Sequence, residues 1–118
     1  MFDVCKQSRF AMVRNIINPP QLKSASALLN AMGNPKRLAV LAFLTENEMS
    51  VTSLAERVEL SQSALSQHLS KLRSEGLVKT RRDGQTIYYS CDTPSVKIVL
   101  DALEQMEAPR SVASIQRP

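Results

Sequence analysis

The amino-acid sequence predicts a mainly α fold with one small β-hairpin, in the order α-α-α-α-β-β-α. Three observations predict it. Apolar residues recur at helical spacing in five separate segments. Gly33, Gly76 and the Asn-Pro and Thr-Pro pairs punctuate those segments. One Asp-Gly step lies between two β-prone runs. A length of 118 residues, 43% hydrophobic and 22% charged, suits one globular domain with a single modest core.

The elements follow in order. Residues 1–20 read as an N-terminal arm, set apart by Pro19 and Pro20. Its Lys6, Arg9 and Arg14 are interleaved with Phe2, Val4, Phe10, Met12, Val13, Ile16 and Ile17, as in a short amphipathic helix or a frayed segment. The domain proper is expected over residues 21–108. Leu22, Ala25, Leu28, Leu29 and Met32 mark its first helix, which Gly33 stops. Asn34 and Pro35 form a cap and first-turn pair for the second, which carries Leu38, Leu41, Ala42 and Leu44. A shorter third helix follows Ser50 or Thr52 and turns Leu54, Ala55 and Val58 inward. After the tight connection at residues 59–61, Ser61 caps a fourth helix with Leu65, Leu69 and Leu72 as its buried stripe, and Gly76 ends it.

In the hairpin, a type I′ turn on Asp83-Gly84 would pair Arg82 with Gln85, Thr80 with Ile87 and Val78 with Tyr89. Alternation then sends Val78, Thr80, Ile87 and Tyr89 toward the helices, and Lys79, Arg81, Thr86 and Tyr88 to the other face. Thr93 and Pro94 open the last helix, whose stripe is Val96, Val99, Leu100, Leu103 and Met106. Pro109 is expected to end it, leaving a disordered tail over residues 109–118.

Composition limits function. The net charge of +4 favours an anionic partner, or simply solubilises the chain. Two cysteines, Cys5 and Cys91, lack metal or redox spacing and suit a reducing cytosol, so a cytoplasmic location is expected. The arm has no continuous apolar signal core, and the run from Leu38 to Leu44 is too short to span a bilayer, so no membrane association is expected. A single histidine cannot complete a metal site. With no paired acid and base, nucleophile constellation or glycine-rich phosphate loop, the chain offers no catalytic residue, cofactor or small-molecule substrate.

The constellation with chemical content is a short helix joined tightly to a second helix, then a basic hairpin. That is the arrangement of a winged helix-turn-helix, whose second helix enters the major groove of double-stranded DNA. With the leucines of the fourth helix inward, Ser63, Ser66, Gln67, Ser70 and Ser74 point away. Such neutral polar side chains can read base edges, and short serines let the helix approach closely. The alternative is a plain solvated face, odd in being poor in strong helix formers.

Phosphate contacts are expected from Lys71, Arg73, Lys79, Arg81 and Arg82, with Gln85 and Thr86 near the hairpin tip. His68, at the edge of the leucine stripe, either packs or contacts phosphate. Two half-sites need a dimer. Its candidate interface is Leu22, Leu28, Leu29 and Met32 with Val96, Val99, Leu100, Leu103 and Met106, residues that could equally fill the internal core.

"MGNPKRLAVLAFL", "SVTSLAERVELSQSALSQHLSKLRSEGLV" and "TRRDGQTIYYS" together resemble the ArsR-type winged-helix repressors of bacteria, from about Leu22 to Met106. The resemblance implies a homodimeric repressor on an imperfect palindromic operator, joined through the first and last core helices. It also implies that Gln62, Ser63, Ser66 and Gln67 approach bases. Glu59 stands where relatives often have glycine, which predicts a slightly different turn.

The sensing pattern of the family is missing. Metal-sensing members carry "ELCVCDL", whereas this chain reads "EMSVTSL" from Glu48 to Leu54, with Ser50 and Thr52 in the thiol positions. The other family metal site uses histidines on the last helix, which has none. The cysteine positions of persulfide sensors fall on Ala42 and Ala108. No metal cofactor is expected. The remaining alternatives are a thiol switch through Cys5 or Cys91 and a winged-helix interaction module that binds no DNA.

Overall fold

The computed structural model describes the backbone of residues 18–116 and the side chains of residues 18–106. Most of the N-terminal arm, including Cys5, and the side chain of Ala108 lie outside the described residues. Five helices and three short strands follow: α1 (Pro19–Met32), α2 (Pro35–Glu46), β1 (Met49–Ser50), α3 (Val51–Val58), α4 (Gln62–Ser74), β2 (Lys79–Asp83), β3 (Thr86–Ser90) and α5 (Pro94–Gln116).

The start and stop signals work by identifiable chemistry. Pro19 and Pro20 form the first turn of α1 rather than a break before it, because a proline there lacks only an N–H that no helix carbonyl would use. Asn34 Oδ1 accepts from the Lys36 and Arg37 amides at 2.9 and 3.1 Å and so caps α2. Ser50, not Thr52, caps α3 through the Ser53 amide, and Ser61 caps α4 through the Ala64 amide.

Gly76, at φ 73°, closes α4 in a Schellman motif: its N–H reaches the Arg73 carbonyl and the Leu77 N–H the Leu72 carbonyl. Gly33 works differently. Its φ is −81°, and a Cβ there would lie 3.0 Å from the Leu29 carbonyl, so the helix needs a small residue rather than a left-handed one.

Glu59 ends α3 in the left-handed region, φ 59° and ψ 52°. The turn therefore keeps the backbone shape that glycine would give, with a non-glycine residue bearing the strain.

The core lies between α2, α3, α4 and the start of α5. Leu41, Leu44, Leu54, Leu65, Leu69 and Leu72 are fully buried, each stabilising by about 2 kcal/mol relative to exposure. On α2 the buried residues are Val40, Leu41 and Leu44, while Ala42 is exposed and Leu38 only partly covered. The stripe centre lies about half a turn from Ala42, which the sequence spacing places inside. Cys91 is also a core residue, 4% exposed, and its N–H donates to the Leu44 carbonyl.

The strands form an antiparallel sheet in the order β1-β3-β2. The hairpin register differs from the expected one: Asp83 pairs with Thr86, Arg82 with Ile87 and Thr80 with Tyr89. The two-residue turn is thus Gly84-Gln85, with Gly84 at φ 65° in the first central position. Partner numbers slip by two, an even number, so the face assignments survive. Only Val78 is buried and Tyr89 half-buried on the inner face; Thr80 and Ile87 project past the helices into solvent.

Strand β1 pairs Met49 with Tyr89 and Ser50 with Tyr88. The last helix continues through Pro109 to Gln116 instead of giving way to a disordered tail. One interior proline removes one backbone hydrogen bond yet holds a φ that a helix accepts.

Candidate nucleic-acid interface

Helix α4 presents two chemically opposite sides. Leu65, Leu69 and Leu72 are buried behind it. Gln62, Ser63, Ser66, Gln67, Ser70 and Ser74 are all exposed in front, as the leucine spacing requires. The front begins at α3: Gln62 Nε2 donates to Thr52 Oγ1 at 3.2 Å, fixing the first outward side chain of α4. Ser61 and Ser63 hydroxyls lie 3.3 Å apart beside it.

The wing tip completes a groove. Gln85, Thr86 and Ile87 line it on one side, Gln62 and Ser66 on another, and Ser50, Val51 and Thr52 at its end. Gln85 and Thr86 are therefore brought to the start of the exposed α4 face. Lys71 and Arg73 are not; they lie near the other end of a helix about 20 Å long.

The expected cations divide into two groups. Arg73 and Arg82 are exposed and form no ion pair among the described residues. Lys71 stands 4.0 Å from Glu75, a loose contact. Lys79 pairs with Asp92 at 2.6 Å, and that hydrogen bond holds the Asp92 carboxyl below the usual carboxylate range.

Arg81 is the most committed. Its Nε and Nη2 donate to the two Glu48 oxygens at 2.9 and 2.8 Å, and its guanidinium lies 4.9 Å from the centre of the Tyr88 ring. This fork lowers the Glu48 pKa and raises that of Arg81.

His68 is half-buried, with Arg37 Nη1 3.4 Å from its Nδ1. Arg37 itself donates to the Ala31 carbonyl at 2.6 Å and the Asn30 carbonyl at 3.2 Å. One side chain thus closes the C-terminus of α1 and touches α4. Lys36 does the same service for α3, its Nζ donating to the Val58 carbonyl at 2.6 Å.

Sequence reasoning passes over Arg37 and Lys36, and gives Thr52 and Glu48 none of these contacts. A signal existed for the first two. Adjacent cations in the first turn of α2 oppose its dipole, which calls for partners elsewhere.

The expected dimer residues also divide. Met32 and Val96 are buried within the subunit, because each sits where its helix meets the core, and they do not belong to an outer surface. Leu28, Val99 and Leu100 are half-buried. Leu22, Leu29, Leu103 and Met106 remain exposed, joined by Ile98, which the helical stripe omitted. Ser50 and Thr52, at the family's thiol positions, act as the α3 cap and the Gln62 partner. No group of three or more His, Cys, Asp or Glu suited to a metal occurs among the described residues.

Comparison with known proteins gives the same picture from outside. The model of the bacterial regulatory protein arsR family matches residues 34–80. The nodulation protein NolR of Rhizobium meliloti is 52% identical over 94 residues, covering 80% of this chain and 77% of that protein. The transcriptional activator HlyU of Vibrio cholerae is 49% identical over 82 residues, covering 70% and 76% respectively. The crystal structure of NolR from Sinorhizobium fredii superposes with a TM-score of 0.72 at 55% identity, covering 74% of this chain and 87% of that one.

Proposed function

Because this chain belongs to the arsR family of bacterial regulatory proteins, which are DNA-binding transcriptional regulators and not enzymes, we propose that it is a homodimeric repressor of the nodulation-repressor type acting on an imperfect palindromic operator in the cytoplasm. In this reading α4 enters the major groove, and Gln62, Ser63, Ser66, Gln67 and Ser70 face base edges. Arg82, Gln85 and Thr86 meet the adjacent minor groove, while Lys71 and Arg73 take phosphates. His68, held by Arg37, packs at the flank rather than reading a base.

The observation that carries the reading is the groove in which Gln62 and Ser66 of the exposed α4 front meet Gln85 and Thr86 of the wing tip, with Leu65, Leu69 and Leu72 buried behind. Side chains of that kind offer both donors and acceptors without a charge preference, which is what base edges require. Dimerisation is supported by the exposed leucines and methionine of α1 and α5. Exposed apolar side chains of this kind are what a second copy related by a two-fold axis would cover.

A repressor with no metal cofactor is supported by the residues at the family's thiol positions. Neutral hydroxyls without carboxylates are poor ligands for soft or hard ions. A thiol switch through Cys91 would require opening the core that surrounds it.

The deciding experiment selects bound duplexes from a random pool and from genomic fragments, then titrates the recovered site at several salt concentrations. Enrichment of a two-fold-related sequence with affinity falling steeply in salt supports the reading. Recovery of unrelated sequences only, or binding with a one-to-one subunit-to-site ratio, overturns it.

A further inference from the structure

We infer that Glu48 and Arg81 are a positioning pair that sets the pose of the wing on DNA, with Arg81 holding the wing in place instead of binding phosphate. The inference rests on the DNA-binding reading above and concerns how that surface is held in shape.

Strand β2 is exposed along its whole length and hydrogen-bonds only to β3. Little apolar packing therefore fixes its direction. Arg81, in the middle of β2, reaches across β3 to Glu48, the residue immediately before β1. Its guanidinium passes over Tyr88 of β3, so one fork spans all three strands.

Glu48 is two residues from Ser50, which caps α3. The fork thus ties the outer wing strand to the segment that feeds the helix-turn-helix, over 33 residues of chain. A planar guanidinium held by two parallel bonds and a ring face has a defined direction, which a lysine ammonium in the same place would lack. Lys79, on the same face of β2, makes a second tie to Asp92 at the wing root.

Electrostatics argue the same way. Arg81 with Glu48 is locally neutral, so a phosphate near it meets little net positive charge. Arg82, one residue on and turned to the other face, carries no such partner among the described residues. The phosphate role expected for this part of β2 therefore belongs to Arg82.

The test uses the full chain, the selected operator and a scrambled duplex. The double variant E48Q/R81Q leaves the local net charge unchanged while removing the fork. It is expected to lower operator affinity about three- to fivefold, the range of an exposed ion pair, with the salt slope of the unaltered protein. Arg81→Lys keeps the cation and loses the fork, and should show the same loss. Wing amides from Lys79 to Ser90 should exchange faster with solvent in both variants without DNA present.

Affinity preserved in Arg81→Lys, with a slope flattened by about one in E48Q/R81Q, identifies Arg81 as a phosphate contact and overturns the proposal. Unchanged operator affinity in both variants overturns it as well. If the unaltered chain binds no duplex in a salt-dependent way, the DNA reading itself falls. In that case amide exchange of the free wing decides the tether alone, and unchanged exchange rejects it.

Discussion

Lys36 ends a helix to which it does not belong: from the first turn of α2 its Nζ donates to the carbonyl of Val58, the last residue of α3, at 2.6 Å. The bond places a cation on the negative end of the α3 dipole and satisfies a carbonyl left over at the helix terminus. Lys36→Met keeps the aliphatic stem and removes the bond. It is expected to cost about 1–2 kcal/mol in urea unfolding, because a charged donor to a partly buried carbonyl is lost. A change below about 0.3 kcal/mol would show that water replaces the ammonium at no cost.

Glu59 stores strain next to that bond. Its φ of 59° is one that only glycine adopts freely. Glu59→Gly relieves that strain but adds backbone freedom to the unfolded chain, and the balance favours the variant by about 0.5–1 kcal/mol. Gly76→Ala, at φ 73°, should lose about 1 kcal/mol for the mirror reason. Denaturant midpoints of the two variants should therefore move in opposite directions.

The proposed base-reading and phosphate-binding roles separate on two residues. Gln67→Ala should reduce discrimination at one operator position by about 1–3 kcal/mol and leave binding to scrambled DNA nearly unchanged. Arg82→Ala should weaken binding to every sequence and reduce the salt slope by about one. Equal weakening on all duplexes by Gln67→Ala would make it a positioning contact.

The dimer prediction uses two residues of α1. Leu29 is 59% exposed and Met32 is 2% exposed. Leu29→Glu should raise the dimer dissociation constant at least tenfold in sedimentation equilibrium, about 1.4 kcal/mol, while the monomer keeps its helical circular dichroism. Met32→Glu should instead unfold the subunit. Retention of the dimer in Leu29→Glu would move the interface away from α1.

The two wing ion pairs set a pH dependence whose sign follows from their carboxyls. Glu48 and Asp92 are both lowered, chiefly by the hydrogen bonds from Arg81 and Lys79. A lowered carboxyl adds stability that is fully present above its unfolded value and disappears as the pH falls through the folded one. The difference in operator affinity between the unaltered chain and E48Q/R81Q should therefore be constant from neutral pH down to the ordinary carboxylate range. It should vanish only in stronger acid. A difference that fades near neutrality would point to another titrating group.

Much of this architecture was legible because its causes are local. The Leu65, Leu69 and Leu72 spacing, the Asn34-Pro35 start and the Gly76 stop each act within a few residues, and all three operate as expected. The outward face of α4 followed from the same leucines. The sequence reading sets the hairpin turn one residue early because Gly84 can serve as either central residue of a tight turn, and the neighbouring pairs do not discriminate strongly.

What could not be read depends on distant partners. Strand β1 is two residues that exist as a strand only because Tyr88 and Tyr89 lie beside them. The Arg81 fork has no local signal because its partner, Glu48, is 33 positions away. Met32 and Val96 share a helical stripe with surface residues, and only the packing of α1 and α5 onto the core divides that stripe.

The two-sided build of α4 also bears on how such a regulator changes over evolutionary time. Its stability resides in three leucines that never meet the solvent, and its outward side chains are short, neutral and exposed. Replacing an exposed surface residue away from caps and networks usually shifts stability by no more than about 0.5 kcal/mol. On the proposed reading, Ser66, Gln67 and Ser70 can therefore be rewritten one at a time to suit a drifting operator, while Gln62 is held by its bond to Thr52 and Ser63 by its contact with the cap Ser61. The scaffold is retargetable: a new set of genes can come under its control without a new fold.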